Sequence, residues 1–165
     1  MKIQIGGLSE GIHQYQFVVA ASELNAGEQF RGDVRINVSL DKSTTQIFLN
    51  AKIEVLAGFE CDRCVSAFEK LLCSSYTMVY VGDGFDTSHL DPAEVQIVPN
   101  GMHIIDISDD VRQSVVLAVP FKNICSESCK GLCPSCGTNL NEQPCTCTNA
   151  ASDNRWDALR KLQSN

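Results

Sequence analysis

Residues 125–147 hold six of the nine cysteines in this 165-residue chain, at positions 125, 129, 133, 136, 145 and 147, and almost no large apolar side chains. A segment of that composition cannot bury enough apolar surface to order itself. Bonds made by sulfur must hold it, either disulfides or a shared metal ion. This choice constrains the fold more than any other feature of the sequence.

The redox compartment bears on that choice. The N-terminal MKIQIGGLSEG has no basic region followed by an apolar run, and no segment approaches the roughly 18 apolar residues of a membrane span. The expectation is therefore a cytoplasmic protein, where thiols stay reduced and closely spaced cysteines bind metal.

Cys61-Asp-Arg-Cys64 and Cys133-Pro-Ser-Cys136 have the C-x-x-C spacing that lets one tight turn offer two thiolates to one ion. Gly137 can take the left-handed conformation after the second pair, and Pro134 restrains the turn. A tetrahedral ion needs four ligands, so each pair is half a site. Cys125-x-x-x-Cys129 and Cys145-Thr-Cys147 supply the other halves.

Four half-sites can be joined in three ways. The favoured arrangement puts Cys61, Cys64, Cys125 and Cys129 on one ion and Cys133, Cys136, Cys145 and Cys147 on another, with Lys130-Gly131-Leu132 as the connector. The C-x-C spacing is tighter than in the usual knuckle, which leaves open a single site, or a spectator at Cys145 or Cys147. Cys73 is left over, and its apolar strand-like surroundings predict a small buried hydrophobe. Zn2+ suits four thiolates best; iron is the weaker alternative. Two structural zinc ions are expected.

Nothing in the sequence marks a catalytic centre. A redox Cys61–Cys64 pair would need a helix N-terminus in a βαβ unit, whereas its flanks read as antiparallel strands. His13, His89 and His103 stand apart from the cysteines, so no open zinc site with a histidine ligand is foreseen. No nucleophile triad, phosphate-binding loop or small-molecule site stands out.

The rest of the chain reads as an α+β protein with an antiparallel β-rich body over residues 1–120. Strands are predicted over 13–20, 33–40 and 44–57, the last placing Ile47, Leu49, Ala51, Ile53 and Val55 on one face. Residues 65–81 favour a strand from Ser75 onward, and 82–94 form an acidic solvated loop. Ser108 is expected to cap a short helix near 108–119 that Pro120 stops. The zinc-binding cysteine-rich segment follows over 121–150. A C-terminal amphipathic helix over 151–165 carries Trp156, Leu159 and Leu162 on one face.

The Cys61-Asp-Arg-Cys64 pair, Leu117-Ala-Val-Pro120 leading into C-x-x-x-C-K-G-L-C-P-S-C-G, then Asn139-Leu-Asn141, Cys145-Thr-Cys147 and Arg155-Trp156-x-x-Leu159, together resemble the YceD family, the large ribosomal RNA subunit accumulation proteins of bacteria and plastids. The family commonly has proline where Asn154 stands. The resemblance implies a non-catalytic role in accumulation or processing of 23S ribosomal RNA, and the absence of a transit-like N-terminus suggests a bacterial copy.

The partner would be a large-subunit precursor, met through 23S RNA or a basic ribosomal protein. The formal charge of −7 excludes a phosphate grip over the whole surface, and two four-thiolate zinc sites would take it to about −11. Local contact candidates are Arg63, Lys122, Lys130, Arg155, Trp156, Arg160 and Lys161. Two other functions compete: a zinc-stabilised interaction adaptor with no ribosomal role, and, more weakly, a thiol oxidoreductase.

Overall fold

The computed structural model of the protein describes residues 1–99 and 101–147. The described residues divide into two compact units, one of residues 1–59 and 67–123, the other of residues 60–66 and 124–147.

Five strands form the main sheet of the first unit: β2 (Gly11–Ala20), β3 (Phe30–Lys42), β4 (Gln46–Glu60), β5 (Ala67–Gly82) and β6 (Val95–Val98), in the order β2-β3-β4-β5-β6. Alternation explains these strands. Along β4, Leu49, Ala51, Ile53, Val55 and Ala57 are buried while Phe48, Lys52, Glu54 and Leu56 are exposed. A one-residue slip would turn that whole set outward, so the pattern sets the register. Leu40 faces Leu49, Val38 faces Ala51 and Ile36 faces Ile53 across β3 and β4. The register shifts between Arg31 and Arg35, where Gly32 adopts φ +67°, as a bulged residue requires.

A two-stranded sheet pairs β1 (Lys2–Gln4) with β7 (Ile104–Asp106), antiparallel. The helix α1 (Ser108–Leu117) follows, burying Val111 and Val115, and it packs on β5. Ile107, Val111 and Val115 join Ile3, Ile36 and Ile53 in one core. Each fully buried aliphatic side chain there contributes about 1.5–3 kcal/mol relative to exposure.

Several expectations are corrected. The sheet is not wholly antiparallel, because β6 runs parallel to β5 with Val79 opposite Val95. Its chain arrives through the long 83–94 segment, which ends in the 3-10 turn Pro92–Glu94. Ser108 lies inside the helix rather than capping it. Ile107 occupies the cap position, and Asp106 Oδ1 accepts from Ser108 N (3.0 Å) and Ser108 Oγ (2.7 Å). The helix ends at Leu117, three residues before Pro120. Cys73 is exposed rather than buried, because the inward face of β5 is taken by Leu72 and Tyr80, at the opposite parity of the strand.

The predicted helix over 151–165, with Arg155, Trp156, Arg160 and Lys161, lies outside the described residues. No helix among the described residues is long and apolar enough to cross a membrane.

Candidate metal centres

Residues 60–66 and 124–147 carry the cysteines of interest in one unit. Its two C-x-x-C turns are built alike. In the first, Val65 N donates to Cys61 O (2.8 Å) and Cys61 N to Ser66 O (2.9 Å). In the second, Gly137 N donates to Cys133 O (2.9 Å) and Cys133 N to Thr138 O (2.8 Å). The residue after the second cysteine is left-handed in both, at φ +73° for Gly137 and +61° for Val65. A β-branched residue seldom adopts that conformation. The valine hides the likeness of the two turns from sequence reading, and the shared C-x-x-C spacing is the signal that reveals it.

The eight cysteines gather into two tetrads. In the first, the sulfurs of Cys61, Cys64, Cys125 and Cys129 lie within 4.8 Å of one another; in the second, those of Cys133, Cys136, Cys145 and Cys147 do. Cys61 Sγ stands 3.8 Å from Cys129 Sγ, and Cys64 Sγ 3.7 Å from Cys125 Sγ. In the second tetrad Cys145 Sγ stands 3.3 Å from Cys133 Sγ and 3.5 Å from Cys136 Sγ. The sulfurs of both Cys145 and Cys147 lie in it despite the tight C-x-C spacing. Of the three possible joinings, the structure brings 61/64 together with 125/129 and 133/136 together with 145/147.

A hydrogen-bonded frame holds the tetrads. Arg63 Nη1 donates to Cys129 O (2.9 Å), and Leu132 N donates to Arg63 O (3.0 Å). Gly131, at φ +77°, lies against that same carbonyl: a Cβ there would stand 3.1 Å from it. Asn141 accepts from Lys130 N (2.8 Å) through Oδ1 and donates from Nδ2 to Cys129 Sγ (3.4 Å). Asn139 supports Asn141, accepting from its side chain at 2.9 Å.

The sulfurs of each tetrad oppose one another electrostatically. Burial alone would push the Cys61 thiol up, but backbone N–H groups of Cys125, Arg63 and Cys64 outweigh it and bring the thiol down to about 6. Cys125 is pushed up to about 12 by burial and by the facing sulfurs of Cys129, Cys64 and Cys61. The second tetrad repeats the split. The Thr138 hydroxyl and amide bring Cys136 to about 6, and contact with the sulfurs of Cys145 and Cys136 lifts Cys147 to about 12.

Four sulfurs this close cannot all ionise without a cation among them. A soft divalent ion removes that conflict, and four thiolates are its preferred donors. Both tetrads therefore fit a metal such as zinc. The first tetrad is buried except at Cys125, whereas in the second only Cys133 is buried.

The basic candidates fare differently. Arg63 is committed to Cys129 through its guanidinium, while Lys122 and Lys130 are exposed.

Fold and clusters together define a β-rich protein with a compact cysteine unit whose two tetrads are positioned to hold metal ions. The chain belongs to the family described as Large ribosomal RNA subunit accumulation protein YceD, which matches residues 49–163, a range that takes in both tetrads.

Among curated relatives, it is 23% identical over 155 residues to an Arabidopsis thaliana protein named as a chloroplastic large ribosomal RNA subunit accumulation protein YCED homolog 1, covering 79% of this chain and 48% of the relative. It is 46% identical over 44 residues to the Zea mays protein of the same name, 26% of this chain and 15% of that one. An uncharacterised Mycobacterium tuberculosis protein is 30% identical over 86 residues, 52% of this chain and 41% of its own length. The chain thus spans about half or less of the relatives it matches. No solved structure matches it.

Proposed function

We propose that this protein is a non-catalytic ribosome-biogenesis factor that promotes the accumulation or processing of 23S ribosomal RNA in the cytoplasm, acting as a scaffold on a precursor of the large subunit. Family membership carries the reading, since the named relatives are large ribosomal RNA subunit accumulation proteins. Two structural Zn2+ ions would be held by Cys61, Cys64, Cys125 and Cys129, and by Cys133, Cys136, Cys145 and Cys147. Bound there, zinc neutralises thiolate repulsion and crosslinks three chain segments; it has no chemical step to perform.

Four protein ligands per ion leave no open position for a substrate or an activated water, which is why a scaffold fits better than a hydrolase. The acidic surface suits a basic ribosomal protein more than an extended RNA grip. Lys122 and Lys130 are exposed. Together with Arg63, Arg155, Trp156, Arg160 and Lys161 they are the residues proposed to make local contacts with RNA or the partner.

Depletion of the protein in its own host, with 23S RNA quantified and the protein followed through a sucrose gradient, tests this. Reduced 23S RNA and sedimentation with large-subunit precursors are expected. Unchanged 23S RNA, with the protein confined to the top of the gradient, would refute it.

A further inference from the structure

Strand β5 runs from Ala67 to Gly82, yet β6 pairs with it only from Val79 to Gly82. On that side residues 67–78 have no strand partner among the described residues. A long open edge invites another chain unless it is covered or blunted. Here residues 75–78 form one wall of a cleft of about 460 Å3, with α1 as the other wall and Ala93 and Glu94 of the 3-10 turn at its end.

The chemistry of the cleft is one-sided. Asp110 and Glu94 line it, and among the described residues no lysine or arginine does. Arg112, on the same helix, pairs instead with Asp109 at 3.7 Å. Asp110 is half-buried, and burial, with the charges of Asp109 and Asp106, pushes its carboxyl up from the ordinary range.

Beneath it stand Tyr76, which lines the cleft, and Tyr80, four residues on along the same strand face and 3% exposed. Both hydroxyl oxygens are covered and neither has a hydrogen-bond partner. Asp110 is close enough for its charge to act on both. Two carboxylates with no cation beside them among the described residues are complementary to a guanidinium or ammonium group. Met78 and Leu117, the latter 82% exposed, supply apolar surface for the methylenes of such a side chain.

We propose that this cleft docks an extended, arginine- or lysine-bearing polypeptide segment, which adds as a strand to β5 beyond the end of β6 and places its cation beside Asp110 and Glu94. Main-chain bonds to the open edge supply affinity and the carboxylates select a basic segment. In the function proposed above this partner is the basic ribosomal protein, and only that identity rests on that reading. Nucleic acid does not fit a cleft whose two charges are both negative.

The test uses the metal-loaded full chain and a synthetic peptide of about eight residues alternating arginine with valine, its glutamate counterpart, and a mixed-sequence single-stranded RNA oligonucleotide. Amide NMR shifts and hydrogen exchange are read together. The arginine peptide should shift residues 75–78, 93–94 and 110–117 and slow exchange along β5, and the glutamate peptide should not bind.

Asp110→Asn with Glu94→Gln should weaken arginine-peptide binding about tenfold or more, and Thr77→Lys should do so separately by repulsion at the edge, each variant keeping the native amide spectrum elsewhere. Shifts confined to other surfaces, equal binding by the glutamate peptide, or the same residues moved by RNA would overturn the proposal. So would a photocrosslinker at position 77 that joins the chain's own residues 148–165 in place of the peptide. None of these outcomes depends on ribosomes, so a failure here is separable from a failure in the depletion experiment.

Discussion

Gly131→Ala, set beside Gly137→Ala, isolates the contact that joins the first knuckle to the segment between the tetrads. Both glycines are left-handed, at φ +77° and +73°. Forcing an alanine into that conformation costs about 1–2 kcal/mol, part of it returned by the stiffer unfolded chain, so about 1 kcal/mol is expected from the backbone alone. Gly137 has nothing within 4 Å of an added Cβ, and its variant should lose only that.

At position 131 the Cβ meets Arg63 O at 3.1 Å, and that carbonyl accepts from Leu132 N at 3.0 Å. Moving it away lengthens a hydrogen bond worth about 0.5–1.5 kcal/mol. Gly131→Ala should therefore lose about 1.5–2.5 kcal/mol, roughly 0.5–1.5 kcal/mol more than its partner. Guanidinium unfolding of the metal-loaded chain, followed by a metal-binding dye, reads both. If the two variants unfold within about 0.5 kcal/mol of each other, the Gly131–Arg63 packing is not what ties these segments together.

Three further outcomes follow from the geometry. In the metal-loaded protein a thiol reagent should find one fast cysteine, the exposed Cys73, and the other eight should react only after chelation; two or more fast thiols would contradict closed tetrads. Asn141→Ala removes the N–H donor to Cys129 Sγ and the acceptor of Lys130 N, so competition with a chelator should show about 10–100-fold weaker metal binding at the first tetrad, with Asn141→Asp intermediate because it keeps the acceptor.

Asp106 is brought down to about 2, chiefly by the Ser108 side chain and amide. Its folded pKa is lowered, so its stabilising contribution is complete above the ordinary carboxylate range and is lost as pH falls through about 2. Carboxyl NMR titration should show this low midpoint moving up toward the ordinary range in Ser108→Ala.

Much of the strand content was legible because the period of two is written in neighbouring residues. Leu49, Ala51, Ile53 and Val55 declare one face of β4 without help from the rest of the chain. The parallel pairing of β6 was not, since Val95–Val98 is too short to carry a pattern and its direction depends on the path of a twelve-residue connection, 83–94. Cys73 was misread for a related reason: apolar neighbours mark a strand, but the parity that points inward depends on where Leu72 and Tyr80 meet α1 and the core. The left-handed Val65 gave no warning, because nothing in its chemistry asks for a positive φ.

The cysteine unit divides along the same line. C-x-x-C, C-x-x-x-C and C-x-C spacings are short-range properties, set within a turn or two, and they announce four pairs of sulfur ligands directly. Which pairs meet is a long-range property. Cys61 lies 68 residues from Cys129, and bringing them to 3.8 Å requires the segment 60–66 to leave the β-rich unit and join residues 124–147. Spacing could count the half-sites, while Arg63, Gly131 and Asn141 bridge them only because the folded backbone returns there. Sequence neighbours fix local geometry, and contact between distant segments comes from the packing that pays their loop-closure entropy.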